Sequence, residues 1–145
     1  MKIGSMSFGA FALLLLAGCA PQPTPPQLSN GGSAAQITKN MTVASGTTAR
    51  VDFVTSINPD CSEIPGSSVR TAVEPTHGVV TIKRSEEFAY FPPANPRSNC
   101  NSRRVSGWLI LYRSESGFSG LDTFAYDRFS GSGVAWHVAV NAHIE

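Results

Sequence analysis

Histidine and aspartate are the residue types in this chain that could hold a metal ion, and their spacing argues against it. His137 and His143 are six positions apart in a segment whose apolar residues alternate, so their rings share one face of a strand about 20 Å apart. His77 lies in a turn, where an exposed or locally hydrogen-bonded ring is expected. Asp122 and Asp127 lack the clustered Asp-x-Asp oxygens of a calcium site. We predict no metal and no cofactor.

Serines and glutamates do not form a recognisable catalytic pattern either. The segments Gly117-Phe118-Ser119-Gly120 and Gly131-Ser132-Gly133 lack the Gly-x-Ser-x-Gly spacing that presents the nucleophile of α/β-hydrolases. Glu86 and Glu87 are adjacent in or beside a strand, so their carboxylates should point to opposite faces. We predict no catalytic residue and a protein that is not an enzyme.

Three arginines offer a binding surface. Arg97, Arg103 and Arg104 flank Cys100 in a polar stretch that interrupts the apolar pattern. Guanidinium groups suit anionic partners such as lipid headgroups, a glycan polymer or an acidic protein surface. Solvated charges on a long loop are the alternative interpretation.

The segment from Trp108 to Tyr112 is apolar on both faces and predicts a central strand. Trp108, Ile110 and Tyr112 share one face, while Leu109 and Leu111 share the other. The outer face of a sandwich normally meets water, so either the preceding polar loop covers the two leucines or they form a docking surface.

Apolar residues alternate with polar ones in several further segments that are separated by turn residues. This period of two, together with the spacing of the turns, predicts an all-β sandwich of about eight strands and no helix. The segments are centred on 37–43, 51–54, 69–73, 80–82, 88–90, 108–112, 124–126 and 136–144. We interpret 80–82 and 88–90 as the two strands of a hairpin.

Two runs carry a resemblance to a family. They are Pro75-Thr76-His77-Gly78-Val79-Val80-Thr81-Ile82 and, later, Gly117-Phe118-Ser119-Gly120-Leu121-Asp122-Thr123-Phe124-Ala125-Tyr126-Asp127. These runs resemble bacterial immunoglobulin-like and cadherin-like repeats over roughly residues 36–144. The resemblance implies an immunoglobulin-like β-sandwich. The chain departs from that pattern by an insertion at 92–106 and by having a single copy.

Composition fits one small domain with no polyanionic partner. Charged residues make up 14% of the 145 residues, against about 25% in an average soluble protein, and this favours strands and turns. The formal net charge is +1, so no strong positive field gathers nucleic acid. We predict no nucleic-acid partner.

The residues Leu16-Ala17-Gly18-Cys19 close an apolar run that begins at Phe8. The run is shorter than the roughly 20 residues that span a bilayer, and Lys2 precedes it as in a secretory signal. The four residues resemble the lipobox of bacterial lipoproteins, which implies cleavage before the cysteine and lipid on Cys19. An uncleaved interfacial helix is the alternative. Since Ala20 rather than Asp follows the cysteine, the resemblance implies the outer membrane.

This interpretation divides the chain into three parts. Residues 1–18 form the signal peptide, 19–35 form a linker that is rich in Pro and then in Gly and Ser, and 36–145 form the immunoglobulin-like domain. The linker cannot bury a core, so it should hold the domain off the membrane as an extended and then flexible segment.

Cysteine pairing follows from the lipid anchor. With Cys19 acylated, Cys61 and Cys100 remain as an even pair in an oxidising compartment, which predicts a disulfide between them. A reactive or metal-binding pair is the alternative, and no nearby Cys or His has ligand spacing.

The sequence therefore predicts a lipid-anchored envelope protein whose domain is a non-catalytic binding or structural module. Its expected partners are the membrane, through Cys19, and an envelope protein or anionic envelope polymer. One alternative is an inhibitor or accessory subunit that docks an envelope enzyme or secretion machine. The other is a hydrolase whose catalytic groups the sequence does not reveal.

Overall fold

The structure, a computed structural model, describes residues 34–145. Seven strands and one short 3₁₀ helix form this part of the chain. The strands are β1 Ala35–Val43, β2 Thr48–Val54, β3 Ser68–Val73, β4 Gly78–Phe88, β5 Arg104–Ser114, β6 Gly120–Phe129 and β7 Ala135–Ile144. The 3₁₀ helix, η1, spans Ser98–Ser102 and lies between β4 and β5. Within the described residues, no helix is both long and apolar enough to cross a bilayer.

The strands form two sheets that pack as a sandwich, as the alternation predicts. One sheet has the order β1-β7-β6-β3 and the other the order β2-β5-β4. If the strands are lettered A to G, the second sheet is B-E-D and the first contains C, F and G, as in immunoglobulin domains. Strand β1 differs from the constant-type arrangement because it lies beside β7, in parallel. The insertion therefore leaves the strand order intact.

The core lies between the inner faces of the two sheets. Phe124 and Tyr126 of β6 face Ile110 and Tyr112 of β5, and the rings of Tyr112 and Phe124 stack 5.0 Å apart. Tyr112, Tyr126 and Ile110 have no exposed surface. This burial explains why β5 and β6 are apolar at every second position.

The predicted hairpin at 80–82 and 88–90 is wrong. Residues 78–88 form one continuous strand, β4, which pairs with β5 along its whole length. The polar residues Ser85, Glu86 and Glu87 suggested a turn, but β4 is an edge strand that tolerates charged residues. The count is therefore seven strands instead of eight.

A β-bulge also changes the predicted facing of β2. The register with β5 shifts between Arg50 and Asp52. Val51 and Val54 consequently pack in the main core. Phe53 packs instead against a second, smaller cluster of buried residues around Cys100. Strict alternation along 51–54 would place Val51 and Phe53 on the same face. The bulge breaks strict alternation, as bulges do.

Candidate functional site

Three connections meet at one end of the sandwich. They are 55–67 between β2 and β3, 89–103 between β4 and β5, and 130–134 between β6 and β7. Together with the neighbouring strand ends they enclose a cavity of about 460 Å³, which we call the loop-end groove. Its volume falls in the range of small-molecule and cofactor sites. The lining residues are Val54, Thr55, Ser56, Ile57, Ile64, Phe91, Asn95, Arg97, Arg128, Phe129, Ser130, Ser132 and Trp136.

A disulfide holds two of these connections together. Cys61 and Cys100 are bonded, with their Cα atoms 5.6 Å apart, which confirms the predicted pairing. Cys100 is fully buried in a second small core with Ile57, Ala89 and Val105. The insertion is thus anchored covalently and by burial, so it forms a fixed wall of the groove.

Arg128 occupies an unusual place on β6. Phe124, Tyr126 and Arg128 follow one another at every second position, so Arg128 continues the core-facing column at the point where the sandwich opens. Its register partner on β7 is Trp136, and the guanidinium carbon lies 4.8 Å from the centroid of that ring. The stacked pair forms one side of the groove.

Within residues 34–145, the guanidinium of Arg128 has an unsatisfied donor. Its Nε is buried and makes no hydrogen bond within residues 34–145. No carboxylate in this part of the chain lies within salt-bridge distance of it. Asp52 lines a neighbouring cavity with Arg128, but its oxygens already accept from Lys39, Tyr126 and Phe53. A buried cationic donor without an acceptor is costly unless a ligand supplies one.

The rest of the rim adds mostly hydrogen-bond donors. Arg97 is fixed because its Nε donates to the carbonyl of Ile57. The side-chain oxygen of Asn95 accepts from the Arg97 amide, which leaves its NH₂ group for other partners. Ser130 and Ser132 share a hydrogen bond of 2.8 Å at the tip of the β6–β7 turn. The lining contains no Asp, Glu or His.

The opposite end of the sandwich is closed by the residues that carry the family resemblance. Asp122 is 2% exposed and accepts hydrogen bonds from the amides of Thr76, His77 and Thr123 and from the hydroxyl of Tyr112. Burial alone would raise its pKa, but these hydrogen bonds hold the pKa below its usual value. Asp122 therefore fastens the turn before β4 to the start of β6.

His77 belongs to the same closed end. Its Nδ1 lies 3.0 Å from the carboxylate of Glu115, and its ring stacks on Phe118 with centroids 3.7 Å apart. His77 therefore pairs with a residue 38 positions later in the sequence, on the connection that follows β5. We use the name turn end for this closed end, which comprises the connections 44–47, 74–77 and 115–119.

Two further carboxylates tie strands together along the sandwich. Asp52 receives Lys39 at 2.9 Å and the Tyr126 hydroxyl at 2.7 Å, so it links β1, β2 and β6. Burial, helped by the Asp52 charge, raises the pKa of Tyr126 above its usual value. Asp127 bonds His137 and Arg70 on the outer face of the four-stranded sheet. The hydrogen bond from His137 is the largest of the effects that lower the pKa of Asp127. These are structural links between strands.

The three predicted arginines have different surroundings. Only Arg97 lines the loop-end groove. Arg103 is exposed just after η1, and Arg104 is exposed with its guanidinium over the ring of Phe88. The groove therefore includes Arg97 but not the other two, and it adds Arg128 to the site.

The two predicted leucines lie on the outer face of β5, as expected. Leu109 is 9% exposed and Leu111 is partly buried. Phe53 is the register partner of Leu109, and Arg50 lies over the Phe53 ring and 3.9 Å from Glu87. Side chains of adjacent strands therefore extend across this face, and Leu109 offers little surface to a partner.

The remaining predictions concern metal, catalysis and the anchor. In the described part, no cluster of three or more His, Cys, Asp or Glu side chains could hold a metal ion. Neither His77 nor His137 is hydrogen-bonded to a serine hydroxyl there; each pairs with a carboxylate. Cys19, the lipobox and most of the linker lie outside the described residues, and β1 begins at Ala35, the last residue assigned to the linker.

Arg128, Trp136 and Phe91 were not recognised as site residues from the sequence. The sequence did indicate the direction of Arg128: it lies at every-second-residue spacing from Phe124 and Tyr126, so its side chain should face inward as theirs do. A cation at the end of a core-facing column is unusual, and that position could have been singled out. The contribution of Phe91 could not, since it depends on how a long insertion folds back.

No protein family and no curated protein matches this chain. Among solved structures, the chain is similar to amebosin at 10% identity and a TM-score of 0.41, covering 79% of this chain and 100% of that one. It is also similar to a 2,6-sialyltransferase of a Photobacterium species, at 12% identity and a TM-score of 0.36, covering 79% of this chain but 18% of the enzyme. A third is PbICP-C, solved in complex with falcipain-2, at 9% identity and a TM-score of 0.35, covering 81% of this chain and 96% of that one. At this level of similarity they say nothing about what this chain binds or does.

Proposed function

We propose that this protein is a non-catalytic binding module of the bacterial envelope, held at the outer membrane by lipid on Cys19, with the loop-end groove as its ligand site. The observation that carries the ligand site is the buried Nε of Arg128, which has no acceptor in residues 34–145. Binding sites are often built from loops that a rigid sandwich presents at one end.

The construction of the groove supports a binding role. The disulfide and the small core around Cys100 fix one wall, while β6 and β7 fix the other. A fixed site loses little conformational entropy when a ligand binds, which favours affinity. The serine hydroxyls that line the groove have no His, Asp or Glu beside them in the lining to act as a base. This composition supports recognition over hydrolysis.

Site-specific photocrosslinking in cells tests the ligand site. A photoreactive amino acid replaces Ser132 at the groove rim or, as a matched control, Ser119 at the turn end; both serines are exposed. The Ser132 probe should give a discrete crosslinked product that the Ser119 probe does not. The product should diminish when Arg128→Gln is added. Equal products from both probes, or none from Ser132, would contradict the proposal.

Membrane fractionation tests the anchor separately. Wild-type protein should sediment with the outer membrane, and Cys19→Ala should remain uncleaved or leave that fraction because the site of acylation is gone. Arg128→Gln should fractionate like wild type, since it leaves the first nineteen residues unchanged. Identical outer-membrane fractionation of Cys19→Ala and wild type would refute lipid anchoring.

A further inference from the structure

The donors of the loop-end groove call for an acceptor-rich anion. The guanidinium carbon of Arg128 lies over the Trp136 ring, and its Nε–H has no acceptor in residues 34–145, so this group remains a donor for a ligand. Arg97 and the NH₂ group of Asn95 provide further donors on the opposite wall. A planar carboxylate matches the forked N–H groups of arginine with two parallel hydrogen bonds.

The apolar part of the lining indicates what should be attached to that carboxylate. Ile57, Ile64, Phe91, Phe129 and Trp136 all contribute to the groove. Sugar rings carry many hydroxyls that need acceptors as well as donors, and this lining has no carboxylate to accept from them. An apolar side chain next to a carboxylate fits the mixture of residues better than a uronic acid does.

We propose that the loop-end groove binds the C-terminal carboxylate of a peptide or protein whose last residue is apolar. Arg128 receives the carboxylate, Arg97 adds positive charge from the facing wall, and the aromatic and aliphatic lining holds the last side chain. The volume of about 460 Å³ suits the final two or three residues of a chain. This inference rests on the proposed binding role and specifies its ligand.

Fluorescence polarisation with the full chain in detergent micelles tests the inference. The probes are dye-labelled tetrapeptides that end in leucine, phenylalanine or glutamate, each made as the free acid and as the C-terminal amide. At least one apolar free acid should bind at least tenfold more tightly than its amide and than the glutamate peptide. Absence of binding by every free acid, or equal affinity of acid and amide, would overturn the proposal.

Two variants separate recognition from folding. Arg128→Gln should remove the preference for acid over amide, and Arg128→Lys should restore only part of it because lysine lacks the planar fork. Arg113→Gln, an exposed arginine on β5 outside the groove, should leave the preference unchanged. A preference that survives Arg128→Gln, or tighter binding of an oligoglucuronate than of any peptide, would exclude the assignment.

The two proposals can fail separately. If Ser132 crosslinks a ligand in cells but no free-acid peptide binds, the groove is a binding site and the assigned ligand is wrong. If neither occurs, the binding role of the groove is wrong as well.

Discussion

The two ends of the sandwich are built in opposite ways. At the turn end, short connections bond to one another: Ser45 donates to the carbonyl of Glu145, Gly117 to the hydroxyl of Ser45, and Glu115 to the carbonyl of His77. At the loop end, two long connections are held by a disulfide and a small core, and the groove lies between them and the ends of β6 and β7. The connections of the turn end are held by hydrogen bonds, and those of the loop end by a covalent bond and a small core.

The contrast extends to the charged groups. Asp122 at the turn end is buried and has four donors, whereas Arg128 at the loop end has a buried Nε with no acceptor among residues 34–145. Native proteins satisfy nearly all buried polar groups, and exceptions concentrate where a function requires them. The turn end therefore stabilises the fold, and the loop end is where the fold retains an unmet hydrogen bond.

Removing the disulfide should have the largest effect. The double variant Cys61→Ser, Cys100→Ser should lose about 4 kcal/mol of unfolding free energy, because the bridge closes a long loop in the unfolded chain. The two bonded cysteines of the wild-type chain are 39 positions apart. Urea unfolding of the full chain, followed by tryptophan fluorescence, measures the loss. Wild-type protein under reducing conditions is the control and should match the variant; a loss below about 1 kcal/mol would show that the loop end is held by its core alone.

Removing the Asp122 carboxylate should have the next largest effect. Asp122→Ala leaves the amides of Thr76 and His77 without their acceptor and removes one of the two acceptors of the Tyr112 hydroxyl, at a cost of about 3 kcal/mol. Asp122→Asn keeps one acceptor oxygen and should lose less. Glu74→Ala, at an exposed neighbouring position, should be nearly neutral. Equal losses for Glu74→Ala and Asp122→Ala would mean that the carboxylate does not fasten the turn.

Acid should loosen the turn end before the loop end. The folded-state pKa of Asp122 is depressed, so its contribution is complete above the unfolded value of about 4 and is lost as the pH falls through the folded value. Hydrogen exchange at pH 5 and pH 3 should show residues 74–77 losing protection while the disulfide-held segment 97–103 keeps it. Asp122→Asn should remove most of this pH dependence. If residues 97–103 lost protection at a higher pH than residues 74–77, the loop end would be the more acid-sensitive end.

Replacing Arg128 should have the smallest effect on stability. Arg128→Met removes a buried donor that has no acceptor and leaves an apolar side chain to pack on Trp136, so the unfolding free energy should change by less than about 1 kcal/mol. The same urea titration measures it. A loss above about 2 kcal/mol would show that Arg128 is a structural residue, and the two ends would then differ less than proposed.

Alternation in the sequence predicts the sheets well wherever strands are buried on one face. Ile110 and Tyr112, like Val138 and Val140, lie in the core as their spacing indicates. The pattern fails at β4, because an edge strand can carry Glu86 and Glu87 without ending. It also fails at β2, where a bulge moves Phe53 to the outer side.

The candidate site was only partly predictable. The disulfide followed from cysteine counting, and Arg97 followed from its place beside Cys100. The sequence did not predict that Arg97 lines the same groove as Arg128 and Trp136. These residues are distant in sequence and come together only through the folding of the 89–103 connection. The position of Arg128, two residues after Tyr126, would have predicted that it faces inward. It could not have shown that the Arg128 Nε lacks an acceptor among residues 34–145.

The pairing of β1 with β7 has a mechanical consequence. Ala35, where the described chain enters the sandwich, is the register partner of Trp136 in the groove. A tether pulling at residue 34 and a ligand held at Trp136 would therefore apply force at the same end of one parallel strand pair. Such a load peels the first hydrogen bonds of β1 one at a time, whereas pulling on residue 34 and on the C-terminus would shear the whole β1–β7 ladder at once. If Cys19 is the proposed anchor and the groove holds the proposed ligand, tension should loosen the groove before the domain unfolds.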